Sequence, residues 1–297
     1  MKKTALIFFL ILMLLNVCSC EQAKSNNTVL QANGTENIII YDKFDQQLVL
    51  YNKNTHSIES SKPVDNFFYF EFDTRSNYYT SGHSINNGFK ILKKENNLVR
   101  VVYELKSKSQ AIFPFATNGE KNIFMIQDDN DKLHRKIADF NGEKLAYFDN
   151  VKGCIEKGVI IGNTLYYTVY ESEKGKYTLY SVNIENISNQ PSLIEVALES
   201  KDIYSYNNQL YKSTKKEIFN DHNRFKKAEL NYFDDTNNVL LQIGVDQKRA
   251  LLKLDIVNTK SKNIQKTVDN VIGYDVNNNI LTVYCFGGIE KIDLESK

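Results

Sequence analysis

Two cysteines, Cys18 and Cys20, are separated by one residue in the sequence Val17-Cys18-Ser19-Cys20. Cysteine thiolates at such close spacing can bind a metal ion or form a redox pair. The preceding residues indicate a different role. Met1-Lys2-Lys3 is short and positive, and residues 5–15 form an unbroken apolar run. This is the layout of a secretory signal, and the run is shorter than the ~20 helical residues that a membrane span needs.

The end of this signal resembles the lipobox of bacterial lipoproteins, in which an aliphatic, a variable and a small residue precede the cysteine. Cys20 fits the pattern because Ser19 precedes it, whereas Cys18 follows the bulky Val17. The resemblance implies that residues 1–19 are a signal peptide that is removed, and that Cys20 is lipidated. Two or more acyl chains hold a protein stably on a membrane. The alternative is a secreted protein cleaved nearby.

This reading predicts attachment to the cell membrane or outer membrane, facing outside the cytoplasm. Residues 20–36 are polar and are expected to be a lipidated flexible tether. The chain has 37 basic and 36 acidic residues, and removal of Lys2 and Lys3 leaves 35 basic residues. A nearly neutral chain has no electrostatic reason to bind nucleic acid, so we expect no nucleic-acid partner.

The usual catalytic signatures are missing from the rest of the sequence. None of the four histidines lies in an HExxH motif or is spaced as a metal ligand on one element: His56, His83, His134 and His222. The chain also lacks GxSxG, a P-loop and a GxGxxG after a strand. We therefore expect no metal and no cofactor, and we nominate no catalytic residue, which favours a protein that is not an enzyme.

Three local features require an interpretation. Asp128-Asp129-Asn130-Asp131 is rich in oxygen ligands for Ca²⁺, but it lacks the glycine and glutamate of an EF-hand loop, so a hairpin turn is favoured. The basic segment 212–227 could face anionic lipid or a wall polymer, although a solvated loop is the simpler interpretation. Loops 184–192 and 215–227 are nominated as functional because long loops on a rigid scaffold often carry function.

Cys154 and Cys285 are the thiols that remain after Cys20. Both lie in strand-like segments far apart in the sequence, which favours two buried thiols over a disulfide. A hydrophobic core must therefore stabilise the domain. The chain contains 18 Tyr and 17 Phe but only 3 Pro, which favours β-strands.

A sequence pattern repeats along the chain. It consists of an apolar strand, a turn rich in Asn, Gly or Asp, and a second apolar strand. The turns are spaced by about 40 residues, which is a period typical of β-propellers. They are Asn33-Gly34, Asp73-Thr74, Asn118-Gly119, Gly162-Asn163, Asn207-Asn208, Thr236-Asn237-Asn238 and Asn277-Asn278-Asn279. A second sequence pattern, a strand in which apolar and polar residues alternate, follows each turn. Clear copies lie at 48–52, 179–183, 251–255 and 289–293, and a weaker one lies at 133–139.

We predict an all-β fold over residues 37–297, a β-propeller of about seven four-stranded blades, with six blades as the alternative. A sandwich pair or β-solenoid would be the other large β folds. The last unit ends near its third strand, so residues 28–31 or 38–41 could supply a strand that closes the ring.

Together these features predict a lipid-anchored, extracytoplasmic binding protein whose propeller holds a protein, peptide or glycan. Fold does not determine function, so two alternatives stay open. One is an envelope glycan hydrolase or lyase with its site at the channel mouth. The other is a subunit of an envelope assembly or an immunity-type lipoprotein.

Overall fold

A computed structural model describes the fifteen stretches that carry the fold. They are residues 28–32, 37–42, 47–52, 54–63, 67–71, 76–83, 89–95, 98–105, 107, 109–128, 130–151, 153–186, 188–246, 251–277 and 279–295. Over these residues every regular element is a β-strand, and no helix is long and apolar enough to cross a membrane. The predicted signal peptide and Cys20 lie outside them.

Five of the sheets are four-stranded antiparallel meanders, which we number as blades 1 to 5. Blade 1 contains β1 (Thr28–Ala32), β2 (Asn37–Asp42), β3 (Gln47–Asn52) and β4 (Ser57–Pro63). Blade 2 contains β5 (Phe67–Glu71), β6 (Tyr78–His83), β7 (Lys90–Glu95) and β8 (Leu98–Glu104). Blade 3 contains β9 (Gln110–Thr117), β10 (Asn122–Asp128), β11 (Asp131–Phe140) and β12 (Leu145–Tyr147).

The remaining strands form two further blades and one larger sheet. Blade 4 contains β13 (Ile155–Ile161), β14 (Thr164–Glu171), β15 (Lys176–Asn183) and β16 (Ser192–Leu198). Blade 5 contains β17 (Ile203–Tyr206), β18 (Gln209–Ser213), β19 (Glu217–Phe219) and β20 (Arg224–Lys226). The C-terminal sheet contains β21 (Leu230–Asp234), β22 (Val239–Asp246), β23 (Leu251–Asn258), β24 (Ile264–Asn277), β25 (Ile280–Cys285) and β26 (Gly288–Asp293).

Each of the seven repeated turn sequences lies between two strands that pair with each other, although Asn33-Gly34, Asp73-Thr74 and Asn278 themselves lie outside the described stretches. Asn207 and Asn208 both have positive φ, of 49° and 55°, which suits a tight hairpin with a right-handed twist. Asparagine tolerates this left-handed region because its short polar side chain bonds locally. The second sequence pattern also forms strands, as predicted. Its five copies lie in β3, β11, β15, β23 and β26.

The first strand of each blade lies towards the centre of the ring, because these strands contact one another in succession. β5 contacts β9, β9 contacts β13, β13 contacts β17, and β17 contacts β21. Apolar side chains fill the spaces between neighbouring blades, as with Phe115 and Ile123 of blade 3 against Leu165 and Tyr167 of blade 4. Gly158 in β13 permits this close approach, because a Cβ at that position would overlap the ring of Phe115.

The predicted count of about seven four-stranded blades, and the alternative of six, is wrong. The structure has five four-stranded blades and one six-stranded C-terminal sheet. The reason is β24, which runs for 14 residues without a break. Its first half pairs with β23 and its second half pairs with β25, and the register shifts near Val271. Two repeat units that we expected to form separate blades are therefore joined through one strand.

The prediction that an N-terminal strand closes the ring is also corrected. Residues 28–31 and 38–41 lie in β1 and β2, which pair with each other inside blade 1. Thr28–Ala32 thus forms a strand within the segment predicted as a tether.

Blade 1 contacts the C-terminal sheet through side chains and turns. β1 contacts β24, and the Tyr51 hydroxyl lies 3.0 Å from the carbonyl oxygens of both Cys285 and Gly288. The Gly287 N–H also donates to the His56 carbonyl at 3.2 Å.

Candidate functional site

A group of charged side chains lies at the ends of blades 4 and 5 where the chain enters their first strands. Glu156 and Lys157 open β13, Lys201 and Asp202 directly precede β17, and Lys227 directly precedes the segment leading into β21. Because first strands lie side by side around the centre, these entry points converge. We define the charged cluster as Arg135, Glu156, Lys157, Lys201, Asp202 and Lys227.

Glu156 links three structural units at one side of this cluster. Its carboxylate accepts from Arg135 of β11 at 3.0 Å and from Lys201 at 3.4 Å. Arg135 also donates to the Ile155 carbonyl at 2.6 Å, and its side chain is only 4% exposed. Such an ion pair needs several hydrogen bonds to offset the loss of hydration. These contacts therefore hold Glu156 in a fixed position.

Asp202 and Lys227 form the other side of the cluster. The Lys227 ammonium donates to Asp202 at 2.5 Å and to the hydroxyls of Ser200 and Ser213, each at 3.2 Å. Burial opposes ionisation of Asp202, but Lys227, together with Lys157 and Lys201, outweighs it, so the pKa of Asp202 lies below its usual value. Asp202 is therefore a stable carboxylate at neutral pH.

Lys157 directly follows Glu156 in β13, and the pKa of its ammonium is strongly shifted. Burial lowers the pKa of Lys157 to about 8, and Lys201 and Lys227 lower it further while Asp202 opposes them. The cluster as a whole contains four cationic side chains and two carboxylates. Cationic side chains gathered in a partly buried position attract anions, because the field there is weakly screened by solvent.

A pair of tyrosines borders the charged cluster on the same face of blade 4. Lys157 pairs with Thr168 in the register of β13 and β14, and Tyr170 pairs with Tyr177 across β14 and β15. Paired residues, and residues two apart on a strand, share a face of the sheet. The rings of Tyr170 and Tyr177 have centroids 5.3 Å apart, and Tyr170 is 36% exposed.

The phenol of Tyr177 interacts electrostatically with the carboxylates of the charged cluster. Burial raises the pKa of Tyr177, and the carboxylates of Glu156 and Asp202 raise it further. Tyr177 therefore stays protonated at neutral pH and can donate a hydrogen bond. The site thus combines cations, hydroxyl donors and a partly exposed aromatic surface, which suits binding of an anion that carries a ring.

The structure places the other candidates away from this cluster. Asp128 and Asp131 pair across the hairpin of β10 and β11, and Asp131 bonds the ring of His134 at 2.8 Å, so the predicted turn is confirmed. His222 is exposed in the turn between β19 and β20, and His56 lies in the turn before β4. Across the described stretches, no three His, Cys, Asp or Glu side chains group closely enough for a metal.

The two nominated loops differ in their relation to the site. Segment 184–192 connects β15 to β16 and bonds the turn at Asn163, which is the far end of blade 4. Segment 215–227 is not a simple loop, because it contains the short strands β19 and β20. Lys227, its last residue, is nevertheless part of the charged cluster, and its N–H donates to the Lys216 carbonyl at 2.7 Å.

Cys154 and Cys285 are both thiols with no disulfide between them, as expected. Cys285 is buried, whereas Cys154 is partly exposed, so the prediction of two buried thiols is only half correct.

Sequence reasoning missed Glu156, Lys157, Lys201 and Asp202. A signal for them does exist, because charged pairs recur just before the first strands of successive repeats. Glu156-Lys157 precedes the apolar core of β13, and Lys201-Asp202 precedes β17. Charged residues at equivalent blade entries come together in a ring, so a repeat-by-repeat alignment of these positions would have found the cluster.

Comparison with known proteins supports the β-propeller fold and shows no family relationship. No protein-family model and no curated protein matches the chain. An oligogalacturonate lyase in complex with manganese is similar in structure, with a TM-score of 0.50 and 8% identity over 90% of this chain and 88% of that one. Kluyveromyces lactis Hsv2 is similar with a TM-score of 0.46 and 10% identity, over 90% of this chain and 93% of that one.

A third similar structure is apo AztD from Citrobacter koseri, with a TM-score of 0.41 and 10% identity over 92% of this chain and 83% of that chain. At 8% identity the likeness to the lyase shows the fold alone. The chain has a β-propeller fold built from four-stranded blades, and its structural neighbours are functionally diverse.

Proposed function

We propose that this protein is a lipid-anchored, extracytoplasmic binding protein that holds an acidic ligand at the charged cluster. The gathering of cationic side chains carries the proposal: Arg135, Lys157, Lys201 and Lys227 come from successive blades and meet around Glu156 and Asp202. An anionic ligand would offset the mutual repulsion of Lys157, Lys201 and Lys227. The lipobox at Cys20 supports a location outside the cytoplasm, where the ligand would be an envelope protein, peptide or glycan.

The test is equilibrium binding of the full chain, purified in detergent, to a panel of defined envelope polymers. The panel contains acidic glycans, neutral glycans, acidic peptides and basic peptides, and each is measured at low and high salt. We expect selective binding of acidic polymers that weakens as salt rises, because salt screens the interaction. Equal binding of all four classes, or binding of none, would overturn the proposal.

A glycan hydrolase or lyase is the second candidate, and one specific observation favours it. A lysine whose pKa lies near 8 has a useful neutral fraction at mild pH and could act as a general base. Tyr177 and Glu156 lie within electrostatic range of each other beside it. Release of unsaturated or reducing sugars from an acidic glycan, lost in Lys157→Gln and retained in Lys216→Gln, would establish this function instead.

A further inference from the structure

We infer that Asn141 is a site of spontaneous deamidation, and that Asn118, which lies in the same four-residue sequence, is protected from it. Each residue begins a copy of Asn-Gly-Glu-Lys, at 118–121 and at 141–144. The inference concerns a covalent modification of blade 3 and is independent of the ligand of the charged cluster.

The reaction needs only the chain and water. The Gly142 backbone nitrogen attacks the side-chain carbonyl carbon of Asn141, and the side-chain nitrogen takes up the proton that Gly142 loses and leaves as ammonia. Water then cleaves one of the two C–N bonds of the resulting succinimide ring, which yields aspartate or isoaspartate. Glycine after asparagine favours the ring closure, because no Cβ shields the attacking nitrogen. Either product adds a negative charge to the turn between β11 and β12.

The two turns have the same geometry. In each, the asparagine N–H donates to the lysine carbonyl, at 3.4 Å for Asn118 and 3.3 Å for Asn141. Each asparagine side-chain oxygen accepts two backbone N–H groups, at 3.1 and 2.8 Å in the first turn and at 3.1 and 2.9 Å in the second. Gly119 and Gly142 have φ of 93° and 98°, and a Cβ at either would meet no atom within 4 Å. The backbone of the turn therefore does not distinguish the two sites.

The residue before each asparagine is what differs. Thr117 precedes the first turn, and its hydroxyl accepts the Gly119 N–H at 3.0 Å. The equivalent residue of the second turn is Phe140, which has no side-chain acceptor, and within the described stretches the Gly142 N–H makes no hydrogen bond. The attacking nitrogen must give up its proton, so a hydrogen bond that holds this N–H slows the reaction.

Exposure alone would rank the two sites in the opposite order. Gly119 is exposed, whereas Gly142 is partly buried. If access of solvent controlled the rate, Asn118 would react faster. A faster reaction at Asn141 therefore separates the effect of the Thr117 hydroxyl from that of accessibility.

The test is peptide mass mapping of the full chain, purified in detergent and sampled over several weeks in a mildly alkaline buffer. The folded chain should deamidate about threefold to tenfold faster at Asn141 than at Asn118, which is the range that a single hydrogen bond controls. The same incubation in guanidinium chloride is the control, because the two unfolded copies of Asn-Gly-Glu-Lys should react at similar rates. Equal rates in the folded chain, or a faster reaction at Asn118, would overturn the inference.

Two variants test whether the Thr117 hydroxyl provides the protection. Thr117→Val removes the hydroxyl and should raise the Asn118 rate to that of Asn141, whereas Thr117→Ser keeps it and should preserve the difference. Asn141 is the internal reference in both variants, because its own turn is unchanged. If the folded Thr117→Val chain protects Asn118 as the wild type does, the inference is wrong. If that variant does not fold, the comparison of the two sites in the wild-type chain decides alone.

Discussion

At the scale of single residues, the clearest feature is Lys157, a lysine whose surroundings disfavour its charged form. Burial, together with Lys201 and Lys227, lowers the pKa of Lys157 to about 8, against 10.5 for an ordinary lysine. A protein gains no stability from such a group. Residues with strongly shifted pKa values concentrate at functional sites.

The first prediction concerns stability against pH. A lysine with a lowered folded-state pKa binds fewer protons when folded, so stability rises between pH 8 and pH 10.5. Lys157→Met should raise the free energy of unfolding at pH 7 by about 1–3 kcal/mol, and this advantage should shrink as the pH approaches 10.5. Urea denaturation at several pH values measures it. Lys216→Met is the exposed control, and a variant less stable than wild type at pH 7 would show that Lys157 stabilises the fold.

The second prediction concerns the close contact between blades 3 and 4. Gly158→Ala should lower the free energy of unfolding by about 1–3 kcal/mol, because the added Cβ overlaps the buried ring of Phe115. Gly244→Ala is the matched control, since a Cβ there meets no atom within 4 Å. Equal stability of the two variants would show that the blades separate without cost.

At the scale of elements, the hairpins were predictable and the joining of sheets was not. Turn residues such as Asn207-Asn208 act locally, so the sequence indicates each hairpin directly. The continuity of β24 depends instead on whether the strand bends or ends near Asn270, which has a φ of 59°. The sequence contains no proline or glycine before Gly273 to end that strand. The blade count therefore could not be read from spacing.

The candidate site was missed because motif spacing was searched within single elements and not across equivalent positions of the repeats. Glu156 and Arg135 are distant in sequence and come together only because β11 and β13 belong to neighbouring blades. Spacing along the chain identifies ligands that share one element, and this site combines residues from several. Lys227 alone was indicated, through the basic segment 212–227.

The third prediction tests the contact between the N-terminal and C-terminal elements. Tyr51→Phe removes the hydroxyl that bonds the carbonyls of Cys285 and Gly288, and should cost about 1–2 kcal/mol of stability. It should also speed hydrogen exchange in β1 and β26, where the ring would open first. Tyr147→Phe, whose hydroxyl makes no hydrogen bond recorded within the described stretches, should match wild type. Unchanged exchange in Tyr51→Phe would place the weakest point of the ring elsewhere.

At the scale of the whole molecule, the proposed lipid anchor precedes the propeller domain in the sequence. The lipobox predicts that Cys20 carries the anchor, and Cys18 should leave with the signal peptide. Cys20→Ser should abolish fatty-acid incorporation and release the protein from the membrane fraction, while Cys18→Ser should change neither. Labelling with a radioactive fatty acid followed by fractionation measures both, and labelled Cys20→Ser protein would contradict the lipobox assignment.

The most direct test of the proposed function is a crystal structure of the full chain soaked with a short acidic oligomer that it binds. We predict that an acidic group of the ligand lies within hydrogen-bonding distance of a cationic side chain of the charged cluster. The Arg135–Glu156 and Lys227–Asp202 pairs should be unchanged, since they hold the site in place before the ligand arrives. A ligand bound on another face of the propeller, or an empty charged cluster at saturating concentration, would contradict the account.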